Sequence, residues 1–463
     1  MLLLKTESYR KGVIYSSLFN VTGKSVAFIQ QWLIGYYFGM GTASDVFFFT
    51  YNIILFLSYF FLNMTTSVLI PEGMKIRNQE SDEASRSFFN GFILIYVIIA
   101  LFVTGVSLFD IQTFFSVVSS FPEEIVGSNI QLIIWCLPII TLNIVVSILT
   151  EILASYKYFT APNLVTFINY VSGVIFIVLF HDKFGIVSVA QGLVLGYLIN
   201  LAVLLLMMRK NLQWNFLRIS YKNTRTVIHA GIFSQAGYVI YLLALYVPQN
   251  LFSALPAGSL TAVNFADKIL TIPGIFLVTQ ITNVMGIKIN NLVSTNDLSK
   301  FSELLHKLLI VVPISLFIVS IAISLSSGFL SELLFSWGKY DANSTRIVSR
   351  ILATMIFYLP FSFIFGIYTK VYNAFGKQKT FFWLQLLTQG LTILLYLVII
   401  PNHGLYSYPP CRILPYIMAL FIGMVPLYGY CPGIKSPRIL LCYILVSVLS
   451  IGFISVSTLL NVG

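Results

Sequence analysis

Charge is what this 463-residue chain has least of: Asp, Glu, Lys and Arg together make up 9% of it, where a soluble domain carries roughly 25%. So little charge cannot clothe a water-exposed surface, and a soluble globular domain is excluded. Histidine and cysteine are scarce as well. His181, His229, His306 and His403 stand far apart, and Cys136, Cys411, Cys431 and Cys442 show no C-x-x-C spacing. No metal site is expected, and each cysteine reads as a small buried apolar residue. No G-x-x-x-x-G-K-[ST] loop occurs, which removes an ATPase of the chain's own. Uphill work would have to come from an ion gradient, the membrane potential or a partner.

What is abundant is apolar length. Hydrophobic residues make up 58% of the chain, gathered at 12–37, 46–70, 88–108, 130–153, 164–180, 186–208, 227–247, 259–285, 304–325, 351–369, 381–400, 413–428 and 439–460. A helix needs about 20 such residues to cross the hydrocarbon layer. The predicted fold class is therefore all-α, a polytopic membrane protein of about 12–14 transmembrane helices. The 40 Phe and 26 Tyr suit lipid-facing surfaces and interfacial belts in any such protein, and select no ligand.

The connections between runs alternate in charge. Lys5, Arg10 and Lys11; Lys75, Arg77 and Arg86; Lys157; Arg209, Lys210, Arg218, Lys222 and Arg225; Lys288, Lys300 and Lys307; Lys377 and Lys379; and Lys435 with Arg438 fall on one side. The opposite side holds Asp110, Glu123, Glu124, and Asp182 with Lys183. Cytoplasmic loops collect Lys and Arg, so the N-terminus is expected in the cytoplasm. The net charge of +11 is mostly this orientation bias, and no nucleic-acid partner is expected. The first run lacks a small-residue cleavage site and is read as a retained span.

Against this background a few ionisable residues are out of place. Lys24 lies near the middle of the first run, and Asp267 and Lys268 lie about 12 Å into a helix entering near Ser259, at ~1.5 Å per residue. An unpaired charge there costs roughly 2.5–3.5 kcal/mol even on low estimates, so such groups face a bundle interior or a watery cavity and mark transport pathways. Adjacent on a helix, Asp267 and Lys268 point about 100° apart, so they either hold two helix-to-helix pairs or line a pathway. Asp45 marks the outer end of the second run or lines the cavity; Glu151 and Lys370 sit at inner ends, where snorkelling competes with cavity lining. Gly35-x-x-x-Gly39 and Gly192-x-x-x-Gly196 read as close-packing surfaces.

The chain also repeats itself. Gly41 to Phe48 resembles Gly258 to Phe265, Ala154 to Lys157 resembles Ala374 to Lys377, and Phe184-Gly185-Ile186 resembles His403-Gly404-Leu405, at offsets of 217, 220 and 219 residues. Six spans per copy make the repeat parallel. Residues 1–208 are expected to form one six-helix lobe, 209–226 a basic cytoplasmic linker, 227–430 a second six-helix lobe and 431–463 an additional helix.

The segment Tyr37-Phe38-Gly39-Met40-Gly41-Thr42-Ala43-Ser44-Asp45-Val46-Phe47-Phe48 resembles the opening signature of the MviN-type flippases, Wzx-like transporters of lipid-linked oligosaccharides within the multidrug and oligosaccharidyl-lipid exporter superfamily. Leu255-Pro256-Ala257-Gly258-Ser259, Phe265-Ala266-Asp267-Lys268, Ile272-Pro273-Gly274, Leu333-Leu334-Phe335, Tyr358-Leu359-Pro360 and Lys370-Val371-Tyr372-Asn373-Ala374 are similar to that family's elements in order, over about Lys24 to Gly404. Beyond Tyr406 the likeness thins, and Pro409-Pro410-Cys411-Arg412 is unlike a span entrance.

The resemblance implies a transporter, not an enzyme, in the bacterial plasma (inner) membrane, moving an undecaprenyl-pyrophosphate-linked sugar to the outer leaflet by alternating access. Expected partners are the lipid-linked glycan, the bilayer, and the polymerase and glycosyltransferases of polysaccharide biosynthesis. No cofactor is implied; Na⁺, H⁺ or the membrane potential would couple the cycle. Lipid II flippases of the family carry an arginine cluster on the first two helices, and the matching places here are Lys24, Gln30 and Ser58. Two missing charges argue for an O-antigen, capsule or exopolysaccharide unit, with lipid II or an ion-coupled drug exporter of the same architecture as alternatives, and a glycan polymerase or ligase disfavoured by short outer loops. The expected cavity residues are Lys24, Gln30, Asp45, Asn52, Ser58, Asp267, Lys268 and Lys370. Asn52, Ser58 and Asn63 could hydrogen-bond sugar hydroxyls, and Gln30, Gln31, Trp32, Tyr36 and Tyr37 could touch a glycan.

Overall fold

Every apolar run becomes a helix, because a chain surrounded by hydrocarbon must satisfy its backbone N–H and C=O groups within itself. The computed structural model describes residues 9–222, 224–335, 337–429 and 436–459, and no strand occurs among them. Thirteen long helices follow one another: α1 (Tyr9–Phe38), α2 (Thr42–Gln79), α3 (Asp82–Phe109), α4 (Ile130–Ser155), α5 (Ala161–Phe184), α6 (Val187–Asn211), α7 (Thr224–Ser253), α8 (Ser259–Ser294), α9 (Leu298–Leu325), α10 (Ala342–Met355 with Tyr358–Ala374), α11 (Gln378–His403), α12 (Tyr408–Leu427) and α13 (Pro437–Leu459). Ten pass a strict test of length and hydropathy among the described residues, and α10, bent by 41°, makes an eleventh. The remaining two, α1 and α11's counterpart at the opposite copy boundary, α7, are 30 residues each, about 45 Å at 1.5 Å per residue. Cys431, Lys5 and Lys435 lie outside the described residues.

The irregularities of these helices recur with the sequence. α2 contains a π-helical stretch at Thr65–Leu69 and α8 one at Gly274–Thr279, directly after Pro273. α4 breaks between Cys136 and Ile139, and α10 between Met355 and Tyr358. Left-handed backbone appears at Gly39 and Gly258 (φ 67° and 90°), at Lys157 and Gly376 (68° and 66°), and at Gly185 and Gly404 (55° and 71°). Each pair is 219 residues apart. A bend costs backbone hydrogen bonds and a left-handed residue costs steric strain, so two copies sharing all of them share one fold. Gly39 thus ends α1 as a turn residue and is not part of a packing surface.

Contacts divide the chain into units 1–258 and 259–463. In the first, α4 packs on α2, α3 and α6, and α1 and α6 flank α5; in the second, α10 packs on α8, α9 and α12, and α12 covers α11, with α13 laid along α9. The division does not fall at the basic linker 209–226. It falls later because α7, the first helix of the second copy, packs along α2, tied by Asn52 Nδ2 donating to Gln249 Oε1 at 3.0 Å and Asn63 Nδ2 to Gln235 Oε1 at 3.2 Å. The linker itself is pinned to the start of α3: Trp214 Nε1 donates to Asn90 Oδ1 at 2.8 Å, and Asn90 Nδ2 donates to the carbonyls of Asn215 and Arg218 at 2.7 and 2.8 Å.

One helix start departs from expectation. α12 begins at Tyr408, five residues before the apolar run at 413. Pro409 and Pro410 occupy its first turn, where a backbone N–H has no intrahelical partner and proline's fixed φ suits the helix. Arg412 is thereby drawn inside the helix.

Candidate functional site

In the second unit the charge at Asp267 has a partner. α8 and α12 bring Arg412 Nη1 to 3.2 Å from Asp267 Oδ1. The same nitrogen donates to the Tyr408 hydroxyl at 3.3 Å, and the guanidinium lies 4.4 Å from the centre of the Tyr358 ring. Tyr408 hydrogen-bonds Tyr396, Tyr358 meets Tyr416 edge to face at 5.0 Å, and the Tyr416 hydroxyl accepts from Gln389 Nε2 at 3.1 Å. Amphipathic tyrosines give a guanidinium ring faces and hydroxyls without further charge. The pair is not sealed: the Arg412 side chain is 21% exposed and that of Asp267 45%. Charges at this depth are tolerated where water reaches them, so this part of the unit faces a wet cavity. Lys268 is half-buried beside the pair and makes no ion pair among the described residues.

The first unit offers one free cation and a set of amides already in use. Lys24 is exposed on α1, where neighbouring Gly23 lies on Thr166 and Phe167 of α5, and it makes no ion pair among the described residues. Gln30 is buried against Gly173 of α5. Asn52 and Asn63 spend amide donors on α7, and Ser58 is buried with its hydroxyl on the Ile54 carbonyl at 2.9 Å. The reading of these polar groups as sugar contacts is corrected: helix packing has claimed their hydrogen bonds. Asp45 is also committed, its buried Oδ2 accepting from the Gly258 N–H at 2.6 Å. It ties the start of α2 to the turn before α8. Trp32, Tyr36 and Tyr37 form a ring cluster with centroids 5.4 and 4.8 Å apart, and Tyr37 stacks on His181 at 3.7 Å; Gln31 is buried.

Lys370 is half-buried with its stem across Gly286 of α8, where an added Cβ would stand 2.8 Å from Lys370 Cδ. Gly192 and Gly196 do pack closely: a Cβ on Gly192 would meet Gly173 Cα and the Ser172 carbonyl at 2.9 Å. Asp267, Lys268 and Arg412 thus form one cluster, while Lys24, Gln30, Asp45, Asn52, Ser58 and Lys370 stand elsewhere. Arg412 was missed in the sequence because the two prolines before it looked like a loop; two prolines in a first turn are the signal that could have found it.

A helical membrane chain built from two parallel copies, each with broken helices at matching places and an ionic cluster inside one of them, has the architecture of a secondary transporter. Solved structures share that fold: a lipid II flippase MurJ in an inward closed conformation aligns over 97% of this chain and 96% of its own at a TM-score of 0.79 and 17% identity. An inward-facing multidrug resistance MATE family transporter of the MOP superfamily aligns over 89% and 95% at 0.68 and 13%. The chain belongs to the lipid II flippase MurJ family, whose model matches residues 34–460. Among relatives, the probable lipid II flippase MurJ of Borreliella burgdorferi is 25% identical over 429 residues, covering 89% of this chain and 81% of the relative. The lipid II flippase MurJ of Burkholderia cenocepacia is 20% identical over 74% of this chain and 69% of its own. The protein is a multi-pass membrane transporter of a polyprenyl-linked glycan, and not an enzyme.

Proposed function

We propose that this protein flips lipid II, the undecaprenyl-pyrophosphate-linked precursor of peptidoglycan, from the cytoplasmic to the outer leaflet of the bacterial inner membrane by alternating access. The observation that carries this is the family match along residues 34–460, with relatives named as lipid II flippases at comparable length. It favours the lipid II alternative over an O-antigen, capsule or exopolysaccharide unit. The argument for those substrates was the loss of positive charge at Gln30 and Ser58, and Arg412 weakens it: a guanidinium stands beside Lys268 in the second unit. A pyrophosphate prefers such planar donors, with lysine as a point charge beside them.

In this reading Lys24 and Lys268 attract the pyrophosphate, the ring cluster of Trp32, Tyr36 and Tyr37 is open to the sugar, and the N-terminus and the linker 209–226 face the cytoplasm. A second reading, transport of a different lipid-linked glycan, keeps one observation in its favour, the neutral Gln30 and Ser58. The test is depletion of the host's lipid II flippase with this chain as the only replacement. Restored growth with labelled lipid II appearing on the outer face supports the proposal. Failure to restore growth, with an O-antigen or capsule intermediate flipped in the matching deletion strain, overturns it.

A further inference from the structure

Arg412 is held by one prong. Its hydrogen bonds to Asp267 Oδ1, the Tyr408 hydroxyl and, at 3.9 Å, Met355 Sδ all leave from Nη1. A guanidinium carries five N–H donors arranged as a fork, and the Nη2 and Nε edge has no acceptor among the described residues. One face is covered by the Tyr358 ring at 4.4 Å, which fixes the plane of the group while leaving that edge open. The carboxylate is correspondingly under-used: it meets Arg412 through one oxygen and is 45% exposed. A structural ion pair in a low-dielectric setting gains most when fork meets fork. This one holds its arginine without saturating it.

We propose that Arg412 is a diphosphate-binding residue kept ready by Asp267, and that Asp267 is a positioning residue which competes with the ligand for it. The proposal rests on the reading above that the cargo is linked through a pyrophosphate. The open Nη2 and Nε edge takes two phosphate oxygens side by side, Lys268 adds a second charge one residue from Asp267, and Tyr408 and Tyr358 keep the guanidinium from following the ligand out. As phosphate charge arrives, the bond to Asp267 weakens, because two anions share one cation. Departure of the ligand lets the carboxylate reclaim it. Asp267 thereby sets how tightly the diphosphate is held, and a transporter must release what it binds.

The test uses the purified full chain in lipid nanodiscs with two probes, undecaprenyl diphosphate and undecaprenyl monophosphate, and reads the ratio of their affinities. Arg412→Lys keeps the charge and the partner for Asp267 but loses the fork, and is expected to lower the diphosphate-to-monophosphate ratio about tenfold at normal abundance. Asp267→Asn removes the competitor, and is expected to tighten diphosphate binding several-fold while slowing flipping. An unchanged ratio in Arg412→Lys, or weaker diphosphate binding in Asp267→Asn, overturns the proposal. If Arg412→Gln fails to reach the membrane, Arg412→Lys still decides. The diphosphate is common to lipid II and other lipid-linked glycans, so failure of the lipid II assay with the ratio shifted as expected would dismiss lipid II and leave Arg412 in place. A wild-type chain that binds neither probe better than the other dismisses Arg412 as well.

Discussion

Gln249 stands 219 residues after Gln30, at the matching place in the second copy, yet the two amides are put to different use. Gln249 accepts a hydrogen bond from Asn52 at 3.0 Å across α2 and α7, whereas Gln30 is pressed onto Gly173, where an added Cβ would stand 2.0 Å from its Nε2. One inherited side chain therefore holds α7 to α2 by a polar bond and α1 to α5 by close packing. This difference explains why the contacts of α7 belong to the first unit although its sequence belongs to the second copy.

The amide pair makes a measurable tie. Interhelical hydrogen bonds in membranes average about 0.6 kcal/mol in double-mutant cycles. Asn52→Ala, Gln249→Ala and the double substitution, followed by thermal unfolding in detergent, should show a coupling of that order. Strictly additive effects would remove the pair as the reason α7 stays with α2.

Close packing of α5 on α6 predicts a sharper contrast. An alanine at Gly192 would bring its Cβ to 2.9 Å from backbone atoms of Ser172 and Gly173, which cannot rotate away, while nothing lies within 4 Å of the same atom at Gly105. Overpacking costs about 1–3 kcal/mol. Gly192→Ala should lower the amount of protein in the membrane and its melting temperature, and Gly105→Ala should leave both near wild type. Equal behaviour of the two would refute the packing account.

The helices and their repeat were legible in the sequence because both rest on local features: apolar length, turn glycines such as Gly185 and Gly404, and prolines such as Pro273. Lys24, Asp267 and Lys268 were visible for the same reason, as charges inside apolar runs. What stayed hidden depends on long-range partners. Asp45 looked like a cavity residue until Gly258 was found donating to it, and Asn52 looked available until Gln249 was found accepting from it. Arg412 was lost to a local ambiguity, since consecutive prolines fit a loop or a first helical turn equally, and only the helix from Tyr408 resolves which.

Lys268 and Lys24 are expected to act by charge. Lys268→Ala and Lys24→Ala should abolish transport with near-normal protein in the membrane, and Lys268→Arg should keep part of the activity, because a cavity cation recognises phosphate mainly as a charge. Neither lysine makes an ion pair among the described residues, so their removal strands no carboxylate. Loss of Lys268→Ala from the membrane would make the residue structural, and normal transport would place it outside the pathway.

Acid should weaken the fold through its helix caps. Asp110, Asp297 and Asp341 accept from the N–H groups of Thr113, Lys300 and Ser344 at 3.0, 3.2 and 2.7 Å, and side-chain and backbone hydrogen bonds from those three residues hold each carboxyl below its usual range. A pKa depressed by folding gives stability that is complete above the unfolded value of ~3.9 and is lost as pH falls through the lower folded value. The melting temperature should therefore be flat from about pH 7 to 5 and drop below about 4. Alanine at all three positions should lower it at neutral pH and shrink the acid-side drop. An unchanged drop would assign acid sensitivity to other groups.

The cycle has no nucleotide site to drive it, and its proposed cargo is a polyanion moving outward. A potential negative inside favours that export by about 2.3 kcal/mol per elementary charge per 100 mV. Collapsing the potential should slow flipping in vesicles that carry no ion gradient, and imposing it should restore the rate. An imposed Na⁺ or pH gradient without potential tests the other source of energy, an antiported cation drawn to the half-exposed carboxylate of Asp267. Dependence on such a gradient that disappears in Asp267→Asn, with potential dependence retained, would locate the coupling ion there. Indifference to potential, Na⁺ and pH alike would leave a downhill carrier, pulled only by consumption of the glycan on the outer face.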